Sequence, residues 1–161
     1  MPNQTIKSSS FTLSAVGKLN QLQTDVLVLS KMRDNTNEFT PKMWRGIWDT
    51  GATASCINQK IVDDLKLIPL GKTEISTANG LKDVNTYLID IGLPNNVIVQ
   101  NVLVSCADLG NNLDLLIGMD IISLGDFAIT NVNGRTIFSF RLPSLSIIDF
   151  TNNQTPFKQV L

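Results

Sequence analysis

Residues 43–57 read "MWRGIWDTGATASCI": an apolar, aromatic run that ends in an acid, Asp49, and continues in Thr, Gly, Ala and further hydroxyl residues. Trp44, Ile47 and Trp48 give the run the character of a buried strand, and a carboxylate at the end of such a strand is costly to desolvate. Gly51 lets the backbone turn sharply or another chain approach closely, while Thr50, Thr53 and Ser55 place hydroxyls nearby. An acid held there by backbone donors, with no lysine or arginine, stays available for chemistry. The plainer alternative is a turn residue that caps its own loop. One carboxylate cannot both activate water and protonate a leaving group. Two that share a proton can, because like charges about 3 Å apart cannot both ionise. Asp-Thr-Gly occurs once, and neither "DIG" at 90–92 nor "GMD" at 118–120 repeats it. A twin for Asp49 therefore has to come from a second copy, which an isologous dimer brings to its two-fold axis.

Composition narrows the chemistry further. The 161 residues suffice for one domain with a real core and are too few for two full lobes. Hydrophobic residues make up 43% and charged ones 17%, a folded rather than disordered composition. A net charge of −1 lacks the basic footprint of a nucleic-acid binder, and no apolar run has the length of a membrane helix. "MPNQTIKSSS" has no apolar core of a secretory signal, so a cytoplasmic location is expected. Histidine is absent, which removes Ser-His-Asp and Cys-His nucleophiles and His-bearing zinc sites. No metal and no cofactor are expected. Cys56 and Cys106 are expected as buried thiols in preference to a disulfide. "NQT" at 3–5 and 153–155 would matter only in a secreted chain.

The rest of the chain reads as mainly β. Residues 1–10 are polar and expected to be loose, and 31–40 read as an exposed loop. "FTLSAVGKL" and "QTDVLVLS" read as strands, the second with Val26, Val28 and Ser30 on one face. "INQKIVDDLKLI" predicts a helix capped by Asn58, with Ile61, Leu65 and Ile68 along one face and Pro69 as its stop. Asp63 and Asp64 then lie on a solvated face. Residues 73–86 read as a hairpin turning at Asn79-Gly80, and a second Asn-Gly turn falls at 133–134. A short helix is expected around 119–124 and a strand at 126–130, while 142–161 resists placement.

A strand ending in "DTGA", followed about 65 residues later by "LIGMD" (116–120) with an Asn-Gly hairpin between, resembles the retropepsin-like aspartic protease family. "WDTGATAS" with "LIGMDIISLGDFAITN" is more similar to bacterial and mobile-element members than to virion enzymes, and the likeness spans about residues 22–141. The resemblance implies a single-lobe acid protease barrel with one or two short helices, over 11–141, with its active site at a homodimer two-fold axis. It leaves 142–161 as a C-terminal extension open to a place in the dimer interface. It implies Asp49 as the catalytic acid, Thr50 as a hydroxyl reaching across the dimer, and Gly51 and Ala52 as backbone that binds an extended polypeptide. Ala78, Asn79 and Gly80 become the tip of a flap, and Gly118 packs beneath the active-site loop. Virion enzymes pair an acid after "DTGA" with an arginine after the second motif, whereas Thr53 and Met119 stand here. Asp120 is expected to compensate by accepting a hydrogen bond from Ser55 or a loop amide. The function implied is peptide hydrolysis. The rivals are a non-catalytic dimeric peptide-binding module of the same fold and a maturation protease acting mainly on its own precursor.

Overall fold

A computed structural model describes residues 8–30, 41–77, 80–110 and 113–151. The strands are β1 (Ser9–Val16), β2 (Leu22–Ser30), β3 (Met43–Trp48), β4 (Cys56–Ile57), β5 (Gly71–Thr77), β6 (Gly80–Leu93), β7 (Val97–Cys106), β8 (Leu115–Ile117), β9 (Asp126–Val132) and β10 (Arg135–Leu142). Two short α-helices, α1 (Gln59–Leu65) and α2 (Met119–Ile122), and a single 3-10 turn at Pro94–Asn96 complete the described elements.

Six strands close into a barrel in the order β2-β3-β8-β4-β7-β6, with Leu27–Ser30 of β2 pairing Ile89–Gly92 of β6 to seal the ring. Alternation drives this: along β2, Val26 and Val28 are buried at 0% and 1% exposure while Leu27 and Leu29 are only half-buried. β6 is long enough for two tasks. Its second half lies in the barrel, and its first half pairs with β5 as an outer hairpin arm. A second sheet, β1-β10-β9, sets Phe11, Phe138, Phe140 and Phe127 around Trp48, whose ring lies 5.0 Å from those of Phe138 and Phe140. Trp48 Nε1 donates to Thr24 Oγ1 at 3.0 Å, so the buried indole is satisfied. Trp44, 1% exposed, is also core, with Lys42 Nζ 4.3 Å above its ring.

Local signals place most boundaries. Asn58 caps α1 by accepting the Ile61 N–H at 3.0 Å. The helix ends earlier than Pro69 would require: Lys66 takes a left-handed conformation (φ 49°), the Leu67 N–H reaches the Val62 carbonyl, and the Lys66 N–H reaches that of Asp63. Leu67 is thereby buried and Ile68 left exposed, the reverse of a helix running on to Ile68. Asn133 and Gly134 both have positive φ, 53° and 70°, as a tight hairpin turn between β9 and β10 requires. β1 begins at Ser9, two residues before the start of the domain read from the sequence. The loop expected at 31–40 lies outside the described residues, as do Ala78, Asn79 and 152–161.

The segment after β10 is fastened at its root. Asp126 accepts from Arg141, from the Ser144 hydroxyl and from the Leu145 N–H at 3.0 Å, and the Ser144 N–H reaches the Leu124 carbonyl at 3.2 Å. The Ser144 hydroxyl, the Leu145 amide and Arg141 hold the Asp126 carboxyl down at about 2. Cys56 and Cys106 are free, half-buried thiols. Burial, then the charges of Asp120, Cys106 and Asp49, push the Cys56 thiol up to about 11. Among the described residues no helix is long and apolar enough to cross a membrane.

Candidate active site

β3 carries the chain to Asp49, whose N–H donates to the Ile117 carbonyl at 3.0 Å and extends the parallel β3–β8 pairing by one step. The chain then turns: the Gly51 N–H donates to Asp49 Oδ1 at 2.8 Å, and the Ala52 N–H reaches the Asp49 carbonyl at 3.3 Å. Asp49 is half-buried, and no ion pair engages it among the described residues. Thr50 and Gly51 are exposed, and the Thr50 hydroxyl has no partner among the described residues. The turn thus presents a carboxylate and a hydroxyl outward on a backbone tied to the barrel. Chemically it offers an acid or base with one neutral donor fixing its orientation.

Under the turn lies the second motif. The Met119 N–H donates to the Ala52 carbonyl at 2.8 Å and the Asp120 N–H to that of Thr53 at 3.1 Å. Ser55 is fully buried. Its hydroxyl donates to Asp120 Oδ1 at 2.7 Å and accepts from the Gly118 N–H at 3.0 Å, while its amide donates to Asp120 Oδ2 at 3.0 Å. At Gly118 a Cβ would stand 2.7 Å from the carbonyl carbon of Ala54 and 3.0 Å from the Ala52 oxygen. Only a residue without a side chain lets β8 run so close beneath the loop.

Asp49, Thr50, Gly51, Ala52, Ser55, Gly118 and Asp120 therefore meet in one cluster. Gly80 belongs instead to the end of the β5–β6 hairpin, with φ 102° and open space where a Cβ would be. Thr53 and Met119 form no ion pair, being uncharged. Sequence reasoning missed the backbone half of the cluster, the carbonyls of Ala52 and Thr53, because main-chain acceptors leave no mark in residue type. It also missed the Thr24–Trp48 bond that anchors the end of β3. Thr24 shares the inward face of β2 with Val26 and Val28, and that phase was a readable signal.

A six-stranded barrel that ends one strand in Asp-Thr-Gly, with an apolar-Gly motif passing beneath it, defines the class of retropepsin-like aspartic proteases. The chain belongs to the family described as "gag-polyprotein putative aspartyl protease", whose model matches residues 41–124. A retropepsin-like aspartic protease from Rickettsia conorii has a similar fold, with TM-score 0.51 and 12% identity over 86% of this chain and 98% of that one. A foamy viral protease-reverse transcriptase, solved with an RNA/DNA hybrid, is a weaker likeness at TM-score 0.46 and 22% identity, covering 64% of this chain and 12% of that one. The simian foamy virus protease gives TM-score 0.43 and 17% identity over 63% and 92%. No curated protein matches the sequence at a significant level.

Proposed function

We propose that the chain is an aspartic endopeptidase that works as a homodimer, with two Asp49 carboxylates, one per subunit, sharing a proton across a two-fold axis. The observation that carries this reading is the state of Asp49: half-buried, oriented by the Gly51 amide alone, and free of any lysine or arginine among the described residues. A single such acid lacks the second protonation state that peptide hydrolysis requires, and its symmetry mate supplies it. One acid, ionised, draws a proton from a water held between the pair. The other, protonated, donates to the scissile carbonyl oxygen, and the amine leaves after a further proton transfer. No cofactor is needed.

The remaining roles belong to the same proposal. Thr50, exposed and with its hydroxyl unpartnered among the described residues, reaches the opposite loop. Gly51 and Ala52 offer backbone to an extended polypeptide, and the end of the β5–β6 hairpin at Gly80 closes over it. Ser55, Gly118 and Asp120 support the loop. The segment 142–161 takes part in the dimer interface, in keeping with the exposed apolar side chains of Leu145, Ile147, Ile148 and Phe150. A non-catalytic peptide-binding module would have no use for the intact Asp49-Thr50-Gly51 turn.

The test is cleavage of a denatured protein or a peptide library at mildly acidic pH by the wild type and by Asp49→Asn. Loss of at least about 10³-fold is expected, since a shared-proton pair acts as a unit. Cleavage that persists in Asp49→Asn would defeat the mechanism. A statine-type mimic of the tetrahedral intermediate should inhibit the wild type far more tightly than a matched substrate peptide binds.

A further inference from the structure

We propose that Ser55 and Asp120 are positioning residues for Asp49, forming a clamp of neutral donors around one carboxylate that sets the height and tilt of the active-site turn. The inference deepens the reading above and rests on it. Asp120 holds the loop from both sides of the Ala54 residue. Its own N–H binds the Thr53 carbonyl at 3.1 Å, and its carboxylate receives the Ser55 amide at 3.0 Å and the Ser55 hydroxyl at 2.7 Å. That carboxylate also takes the Ile121 N–H at 3.0 Å, so the grip is continuous with the first turn of α2. The Ser55 hydroxyl closes the circuit by accepting from the Gly118 N–H at 3.0 Å. Serine 55 is fully buried, and all of these donors are neutral: no lysine or arginine enters among the described residues.

The clamp and the acid share a foundation. Asp49 hangs from the Ile117 carbonyl, and Gly118, the next residue, is the one gripped by Ser55. Six hydrogen bonds to residues 117–120 thus fix both ends of the turn, at 49 and at 52–55. Losing the far end leaves Asp49 attached and the turn free to tilt. For two acids that must meet across an axis, a misplacement of about 1 Å costs about 10²-fold in rate. Substrate contacts through the backbone of Gly51 and Ala52 are less sensitive to such a tilt than a shared proton is.

The experiment compares Ser55→Ala, Asp120→Ala, the double variant and the conservative Asp120→Asn. The expected result is a fall in kcat of about 10- to 100-fold for each alanine variant, with KM moving by less than about threefold. The double variant should be no slower than the slower single one, because the two residues act as one device. Asp120→Asn keeps an acceptor for the Ser55 hydroxyl but turns a donor towards the Ser55 amide, so it should recover part of kcat. A merely structural role would overturn the proposal: lowered melting temperatures, unchanged kcat per folded dimer, and single effects that add. Amide hydrogen exchange of the wild type supplies a readout independent of activity. The Ser55 and Gly118 amides should be protected as strongly as those of β8, and exchange at the rate of an exposed loop would overturn the clamp. A wild type that cleaves nothing while these amides stay protected would refute the endopeptidase reading instead.

Discussion

At the scale of single residues, the site is decided by what is missing as much as by what is present. Gly118 has no side chain because the Ala54 carbonyl carbon occupies the space a Cβ would need, 2.7 Å away. Gly118→Ala should therefore force loop and strand apart and destabilise the fold by about 1–3 kcal/mol, the usual cost of overpacking. Urea denaturation measures that loss, and an unchanged midpoint would contradict the close approach. Asp126 makes a second case, through pH. Its folded carboxyl lies near 2, below its ordinary 3.8, so the ionised form is the one the fold favours. The stability it contributes is fully present above about pH 4 and is lost as pH falls through 2. Acid titration followed by tryptophan fluorescence should show a shallower loss of stability between pH 4 and 2 in Asp126→Asn than in the wild type. Asp49 itself was readable because acid, hydroxyl and glycine stand next to one another in the chain. Ser55 and Asp120 stand 65 positions apart, and their bond was expected only from the family resemblance, as a substitute for the acid–arginine pair that Thr53 and Met119 cannot make.

At the scale of elements, periodicity and punctuation placed the strands well. Inward Val26 and Val28, the two tryptophans of β3, and Asn133-Gly134 at a turn where both residues need positive φ were visible locally. α1 reads past its end in the sequence, because Pro69 is a stop signal but not the first one the fold uses. The chain leaves the helix at Lys66, in a conformation that penalises a Cβ, so that Leu67 can drop into the core. Lys66→Gly should relieve this and stabilise the protein by about 0.5–1 kcal/mol, read as a raised melting temperature. No gain would mean that the lysine side chain earns its place through contacts of its own.

At the scale of the whole molecule, the barrel is a frame that holds the Asp49 turn on one side and the β5–β6 hairpin on another. On the homodimer reading, specific activity should collapse on dilution below the dimer dissociation constant, and sedimentation should follow the same curve. Removing residues 143–161 takes away Leu145, Ile147, Ile148 and Phe150, apolar side chains left open on a segment rooted at Asp126. That truncation should raise the dissociation constant at least tenfold, about 1.4 kcal/mol, while the barrel keeps its strand content by circular dichroism. An unchanged constant would move the interface elsewhere. By itself the sequence determined what is local: the acid and its small neighbours, the alternation that makes strands, the turns, and the absence of histidine that leaves any hydrolysis to carboxylates, hydroxyls or lysine. Tertiary structure alone decided the closure of β2 on β6, the early end of α1, and the bonds from the Met119 and Asp120 amides to the Ala52 and Thr53 carbonyls. The physical reason is that periodicity and turn preference act over a few residues. Contacts between distant segments exist only once the barrel closes and its buried backbone groups have to find partners.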